Sequence, residues 1–516
     1  MNALPPDDIR LHTQRGAAAH PGPLSAGPPP GCPAHQWDTD GKAPVRLFGP
    51  QHESDAMGVY ARLRAQHGEV APVLLTGDIP AWLVLGYREI LEVVRTPTRF
   101  SRDSRRWREL REGRVPQDSP LLPVIGWRPD CVSADGDEHR RLREAVIDSL
   151  GRFDRRGIRR HVTRFANQII DGFCEDGRAD LLTQYAQQLP MIVLTELLGM
   201  PEEYGPRIVE AALELIKGSE KAVEGNEYIR STLRQLVARR HEEPGADLAS
   251  WLMEHRAGLS DDEVLNHLWL VMLAANENTT SLIANTVRMV LTDHRFRASL
   301  AGVRMTLEDA VEQVLWDEPP TVVLPARWAT GDSELAGRHI RSGDMLLLGL
   351  AAGNVDPLIR PDLGASMHGN RAHLSFSGGP HECPGQDVAR AITDTAVDIL
   401  LTRLPDVELA VPESELAWRS STWTRHLAAL PVKFGPRSPM PVPEQAPPVR
   451  SPRSMRASMP QMPPLVTATA VPGSPGGPPA GPAGMPSPRP SRPPSRRRPW
   501  WKAVARWFSD EPGSGD

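Results

Sequence analysis

The chain has 516 residues, 40% of them hydrophobic, with a net charge of -5; that is enough apolar residue for a large soluble core and excludes a general binder of nucleic acid or other polyanions. Its four cysteines, Cys32, Cys131, Cys174 and Cys383, form no CxxC pair, so spacing excludes a zinc site or a disulfide framework and fits a reducing cytoplasm. The best apolar run, 268–275, is far too short to span a bilayer, and the polar N-terminus reads as no secretory signal.

Residues 1–45 are rich in Gly, Pro and Ala and read as a disordered leader. The ordered core is expected over 46–434. Within it, 57–68 has helical spacing and stops at a glycine, and 138–150 predicts a basic amphipathic helix. Residues 185–200 also have helical apolar spacing, with Pro190 as an interruption. The stretch 261–292 predicts the longest helix, starting after the N-cap Ser260 and running through the whole domain. Strand signals are fewer: 81–86, 322–330, 344–349, and 431–434 closing a small sheet. The balance is mainly α with a small β region.

From 435 to 516 the chain turns to Pro, Ser, Gly and Arg, which cannot build a core. Near its end Arg496, Arg497 and Arg498 precede Trp500, Trp501, Val504, Trp507 and Phe508. These spacings put much of the apolar set on one face of a short helix over 499–509, with Pro499 at its start. The segment reads either as a helix that folds on an acidic partner or an anionic membrane surface, or as an exposed basic tail with scattered aromatics.

Chemistry concentrates in 373–401. Gly378, Gly379, Pro380, Pro384 and Gly385 surround Cys383, and a helical pattern follows at once. Glycines let the backbone approach a flat cofactor, and a cysteine just before a helix N-terminus sits among unpaired amides that favour thiolate. On spacing alone, a Gly-rich loop with one buried cysteine is an equal alternative.

The run FSGGPHECPG (376–385) resembles the cysteine signature FxxGxHxCxG of the cytochrome P450 family, matching it at Phe376, Gly379, His381, Cys383 and Gly385. The resemblance covers roughly 46–434. It implies the cytochrome P450 fold, a triangular helical prism with a small β region. It also implies haem b (iron protoporphyrin IX), with Cys383 as the thiolate ligand that favours O–O cleavage and Phe376 packed beside the sulfur. His139 and Arg143 of GDEHRRLR, Arg327 of LPARWA, and His381 resemble the family's propionate-binding residues, and an anionic propionate suits such side chains. Taken singly, each reads more readily as a surface salt bridge.

Two segments depart from the family pattern. AANENTTSLI (274–283) resembles the oxygen-activation segment A/G-G-x-D/E-T, with Ala274 at the first position and Glu277 at the acid, but Ala275 replaces the glycine and Asn278 the threonine. The resemblance implies a proton relay through Glu277 and Asn278, the latter able to hold a water. A one-residue offset makes Thr279 the candidate instead, and back-bonding within the helix is the plain alternative for Thr279 and Thr280. In DAVEQVLWDEPP (309–320) the family's ExxR is missing: Gln313 stands at the Glu and Trp316 at the Arg, with Glu312 one residue off and expected to face elsewhere. The third member of that ionic triad is matched by His368, or by Arg371 in another loop register. A joint replacement by neutral or aromatic groups is expected, because losing one member alone strands a buried charge. The EQVLW form resembles a minor actinobacterial branch lacking ExxR.

Taken together, the resemblance implies a monooxygenase acting on a small apolar substrate. No flavin or nicotinamide domain follows the core, so a ferredoxin-type donor is expected to supply the electrons. The expected location is cytoplasmic, with peripheral membrane or protein contact through the tail. The alternative, motivated by Gln313, Trp316 and Asn278, is a catalytically weak or silent haem protein acting as partner, sensor or scaffold. Trp127, Met191 and Leu273 are candidates for ligand contact, with core packing the plainer role.

Overall fold

A computed structural model describes residues 44–440 apart from 202–203, 218–220, 294–295, 297–305 and 368. The expected leader, except its last two residues, and the expected tail helix over 499–509 lie outside the described residues, as does His368. Ten helices position the site: α1 (Ala56–His67), α2 (Tyr87–Arg95), α3 (Gly136–Leu150), α4 (Arg155–Ile170), α5 (Leu189–Leu198), α6 (Gly205–Lys217), α7 (Ala222–Glu242), α8 (Asp261–Thr292), α9 (Leu307–Asp317) and α10 (Gln386–Arg403).

Helix α8 begins where its cap dictates. The Ser260 side chain accepts the Glu263 amide while the Glu263 carboxylate accepts the Ser260 amide, and three acids fill the first turn. Both effects satisfy and neutralise the helix start. From Ser281 to Val287 every residue is buried, as befits a helix wrapped by others on all sides. The segment is broken just ahead of Pro190, since α5 starts at Leu189. The proline sits in the first turn of α5, where a missing N–H removes no helical hydrogen bond, and Leu182–Ala186 forms a separate wider turn before it. Gly199, at φ 85, ends α5 in the left-handed conformation that suits glycine.

The main sheet contains β1 (Val45–Arg46), β2 (Val70–Leu75), β3 (Ile79–Val84), β4 (Phe100–Ser101), β5 (Leu324–Ala329) and β6 (Met345–Leu348), in the spatial order β1-β2-β3-β6-β5-β4. Strand β6 runs parallel to β3 with Trp82 opposite Leu346, and antiparallel to β5 with Arg327 opposite Leu346. A register irregularity between Leu324 and Arg327 lies beside the site, where such breaks re-aim side chains. Residues 431–433 do close a small sheet, with 178–180 and 408–409. The largest apolar cluster joins α3, α4, α5, α7, α8 and α10, and a second unites α1 with the main sheet. The cavity lies between helical core and sheet.

Candidate active site

Cys383 follows the short turn Gly379–His381 and directly precedes α10. Its amide donates to the Phe376 carbonyl at 2.9 Å, which closes the loop. Gly379 has φ 66, and a Cβ there would fall 2.2 Å from the Val94 carbonyl oxygen, so only glycine lets the loop press against α2. Burial pushes the Cys383 thiol up, while the Gly385 amide and the Arg143 charge act to bring it down.

The loop faces a cavity of about 360 Å³. Cys383 and Phe376 line one side; Ala274, Ala275, Asn278 and Thr279 of α8 line another. Asn278 Nδ2 donates to the Ala274 carbonyl at 2.8 Å, and its Oδ1 accepts the Thr321 hydroxyl at 2.8 Å. Glu277 turns toward the turn before residues 425–427, where its carboxylate accepts the Thr424 hydroxyl at 3.3 Å. Burial raises its pKa, with that hydrogen bond opposing. Trp127 is partly exposed, Met191 is buried, and neither they nor Leu273 line the cavity.

One edge of the cavity gathers cations. Arg327 on β5 is 2% exposed, and its guanidinium donates to the Ala326 carbonyl; among the described residues no carboxylate pairs with it. Burial, aided by Arg102, drives its pKa well down. Arg102 donates to the carbonyls of Val132, Pro325 and Ala326 at 3.0, 2.6 and 2.9 Å, and burial brings it to about 10. The rings of His139 and His381 lie 4.0 Å apart. Burial, with Arg143 next, takes His139 to about 4, and burial against an opposing Asp135 takes His381 to about 3. His139 Nε2, His381 Nε2 and Arg143 Nε are buried without hydrogen-bond partners among the described residues. Asp135 is 3.6 Å from His381, too far for a hydrogen bond. A buried guanidinium and buried imidazole nitrogens without hydrogen-bond partners are costly, so this donor set, with Asp135 as the one carboxylate near it among the described residues, fits a group that brings carboxylates of its own.

Sequence reasoning missed Arg102, which stands in the arginine-rich run RFSRDSRR with nothing to separate it from surface arginines. It also missed Thr321 and Thr424, which reach α8 only through the fold.

The expected neutral replacement of the ionic triad is corrected. Glu312 does not face away. It is 3% exposed and accepts from Arg390 Nε at 2.6 Å and from His373 at 2.9 Å. Every residue of α9 from Asp309 to Trp316 is buried, so a shift of one position carries no side chain to solvent. Arg371 lies 3.5 Å from Glu312 with its side chain 57% exposed. Gln313 bonds Asp317 and the Met367 amide, and Trp316 donates to the Asn370 carbonyl.

The chain is 31% identical over 410 residues to the vitamin D(3) 25-hydroxylase of Pseudonocardia autotrophica, covering 78% of this chain and 99% of the relative. It is 29% identical over 398 residues to the 2-hydroxy-5-methyl-1-naphthoate 7-hydroxylase of Streptomyces carzinostaticus, covering 75% and 96%. Among solved structures, CYP154C4 from Streptomyces sp. W2061 superposes with a TM-score of 0.68 at 26% identity, over 76% of this chain and 99% of that one. The myxobacterial cytochrome P450 CYP267B1, in complex with myristic acid, gives 0.65 at 30% identity, over 75% and 98%. No family model matches the chain. The chain belongs to the cytochrome P450 family. It has the mainly helical fold with a smaller β region of those structures, and the family implies a haem-binding oxidoreductase. Among the described residues no helix is long and apolar enough to cross a membrane.

Proposed function

We propose that the chain is a haem-thiolate monooxygenase that inserts one oxygen atom of dioxygen into a small apolar substrate, with electrons from a ferredoxin-type donor in the cytoplasm. The observation that carries this reading is Cys383 facing Asn278 and Thr279 across one cavity, whose edge holds the buried Arg327 guanidinium, with no carboxylate pairing it among the described residues, beside the unpartnered ring nitrogens of His139 and His381. Haem b suits this donor set: Cys383 would hold its iron, Phe376 would flank the sulfur, and His139, Arg143, Arg327 and His381 would hold the propionates, joined by Arg102. When bound, the haem supplies dioxygen activation, which a thiolate ligand assists. The residues of the chain provide the surroundings. Leu194, Leu197, Leu270 and Val271 line the cavity, exclude water and suit an apolar substrate. Glu277, its carboxyl raised by burial against the Thr424 hydrogen bond, would serve as the proton-exchanging acid of the relay. The Asn278 amide, with one N–H left beyond its bond to Ala274, would hold a water beside Thr279. Gln313 and Trp316 support assignment to a branch of the family without ExxR.

The second reading, a silent haem protein serving as partner or scaffold, is favoured by Asn278, whose amide is tied at both ends. Oxygen-dependent product formation with a supplied redox partner separates the two. The first test is the reduced carbon monoxide difference spectrum of the parent and of Cys383→Ala. The parent is expected to give a thiolate-type band and the variant none. A thiolate-type band that survives in Cys383→Ala rejects the assignment.

A further inference from the structure

Behind the cysteine loop, on the side away from the cavity, α9 and α10 enclose one carboxylate. Glu312 accepts from Arg390 Nε at 2.6 Å and Nη2 at 3.3 Å. The Ser375 amide donates to His373 Nδ1 at 3.3 Å, which leaves the ring proton on Nε2 for Glu312 at 2.9 Å. Two connections run from Arg390 to the loop. Its guanidinium lies over the Phe376 ring, 4.6 Å from the centroid, and the Phe376 carbonyl accepts the Cys383 amide. Its Nη1 donates to the Gln386 side-chain oxygen at 3.0 Å, and Gln386 Nε2 donates to the Glu382 carboxylate at 3.1 Å. The His373 ring adds a contact to Phe376 at 5.8 Å and meets Trp316 edge-on at 6.0 Å. Groups on both chain sides of Cys383 therefore trace back to Glu312.

We propose that Arg390, oriented by Glu312 and His373, is the positioning residue of the cysteine loop, holding Phe376 and Gln386 so that the Cys383 sulfur keeps one place and orientation at the cavity wall. The proposal rests on the reading that Cys383 carries haem. A loop with Gly378, Gly379 and Gly385 has much backbone freedom to lose. Its inner side faces a cavity, so packing that restrains it must come largely from behind. A guanidinium serves there because it donates in a fixed fork and stacks on an aromatic face at once. Its burial requires a matching anion, which Glu312 provides. The arginine stands on the helix that continues directly from the cysteine, so the restraint acts through a single rigid element.

The test uses the haem-loaded full chain as parent, Arg390→Lys, Glu312→Gln and Gln386→Ala. Leu233→Ala in α7 is the control, since it loosens the core away from the loop. Two quantities are read: the share of the reduced carbon monoxide complex with a thiolate-type band, and the melting temperature. Arg390→Lys and Glu312→Gln are expected to lower the thiolate share at least twofold. Gln386→Ala is expected to lower it with little change in melting. Leu233→Ala is expected to lower the melting temperature and keep the share. A parental thiolate share in both Arg390→Lys and Gln386→Ala overturns the proposal. If the two charge variants fail to fold, Gln386→Ala against Leu233→Ala decides by the same criterion. A parent without any thiolate-type band rejects the haem-thiolate reading itself, and this proposal with it.

Discussion

Arg390 Nε donates to Glu312 Oε1 at 2.6 Å across the packed faces of α10 and α9, with the two side chains only 8% and 4% exposed. The pair joins residues 78 positions apart and supplies the buried ionic contact that Gln313 and Trp316 do not make. Removing one partner of such a pair is far more damaging than never having built it.

The pair sets an acid limit on stability. Burial alone would raise the Glu312 carboxyl, but the hydrogen bonds from His373 and Arg390 outweigh it and hold it down to about 2, against an ordinary value of 4.5. A folded-state value below the unfolded one gives stability that is complete above the ordinary value and lost as pH falls toward the folded one. The stability gap between parent and Glu312→Gln is therefore expected to shrink by roughly 3 kcal/mol between pH 5 and pH 2. Urea midpoints measured across that range check it; a constant gap counts against the assigned pairing.

Asp394 on α10 has the opposite sign. Burial first, then the neighbouring charge of Glu308, lift it to about 6 despite Arg155. Its charged form is disfavoured in the fold, so the folded state gains stability as pH falls through 6 and the gain is complete below the ordinary value of 3.8. Asp394→Asn is expected to stabilise the protein at pH 7.5 by about 1–2 kcal/mol and to do nothing favourable near pH 3. Thermal melts at the two pH values decide the matter.

Arg327 separates the needs of the bare protein from those of the loaded one. With its charge buried and no carboxylate pairing it among the described residues, Arg327→Met is expected to leave the haem-free chain as stable or more stable. The same change removes a charged donor to a propionate, worth about 1.5–3 kcal/mol, so haem affinity should fall roughly 10- to 100-fold. Melting of the haem-free chain and haem titration check the two halves independently. Unchanged haem affinity would remove Arg327 from the propionate set.

Installing the family residue at position 316 should harm this protein. Trp316 is 1% exposed, donates to the Asn370 carbonyl at 2.8 Å, and has Arg360 5.8 Å from its ring. Trp316→Arg removes a filled volume and adds a charge beside Arg360 while Glu312 is already engaged. A loss of about 2–4 kcal/mol is expected, read from denaturation midpoints and haem content. Equal stability would mean that Glu312 can turn to the new arginine.

A chain ending at residue 440 tests the division of roles along the sequence. It is expected to keep the haem spectrum and melting temperature of the full chain while losing sedimentation with anionic vesicles, since the basic and aromatic residues of 496–508 go with the tail. Equal sedimentation of both forms would leave those residues without a membrane role.

The sequence by itself determined whatever depends on near neighbours. The N-cap Ser260, the span of α8, and the glycine-framed Cys383 ahead of α10 all follow from spacing within a few residues, because caps, turns and helix periodicity are local. The match of FSGGPHECPG to a family signature brought the fold and the cavity with it. Partner choice across the fold was a different matter. Gln313, Trp316 and Glu312 read as a lost ionic site because the pattern was scored along one helix, whereas burial of α9 from Asp309 to Trp316 brought Glu312 to Arg390 and His373 from segments 78 and 61 positions away. Arg102 joined Arg327, and Thr321 and Thr424 reached Asn278 and Glu277, for the same reason. Only the tertiary structure decides which charges are taken from water together, and a buried charge is held by whichever partner the packing delivers.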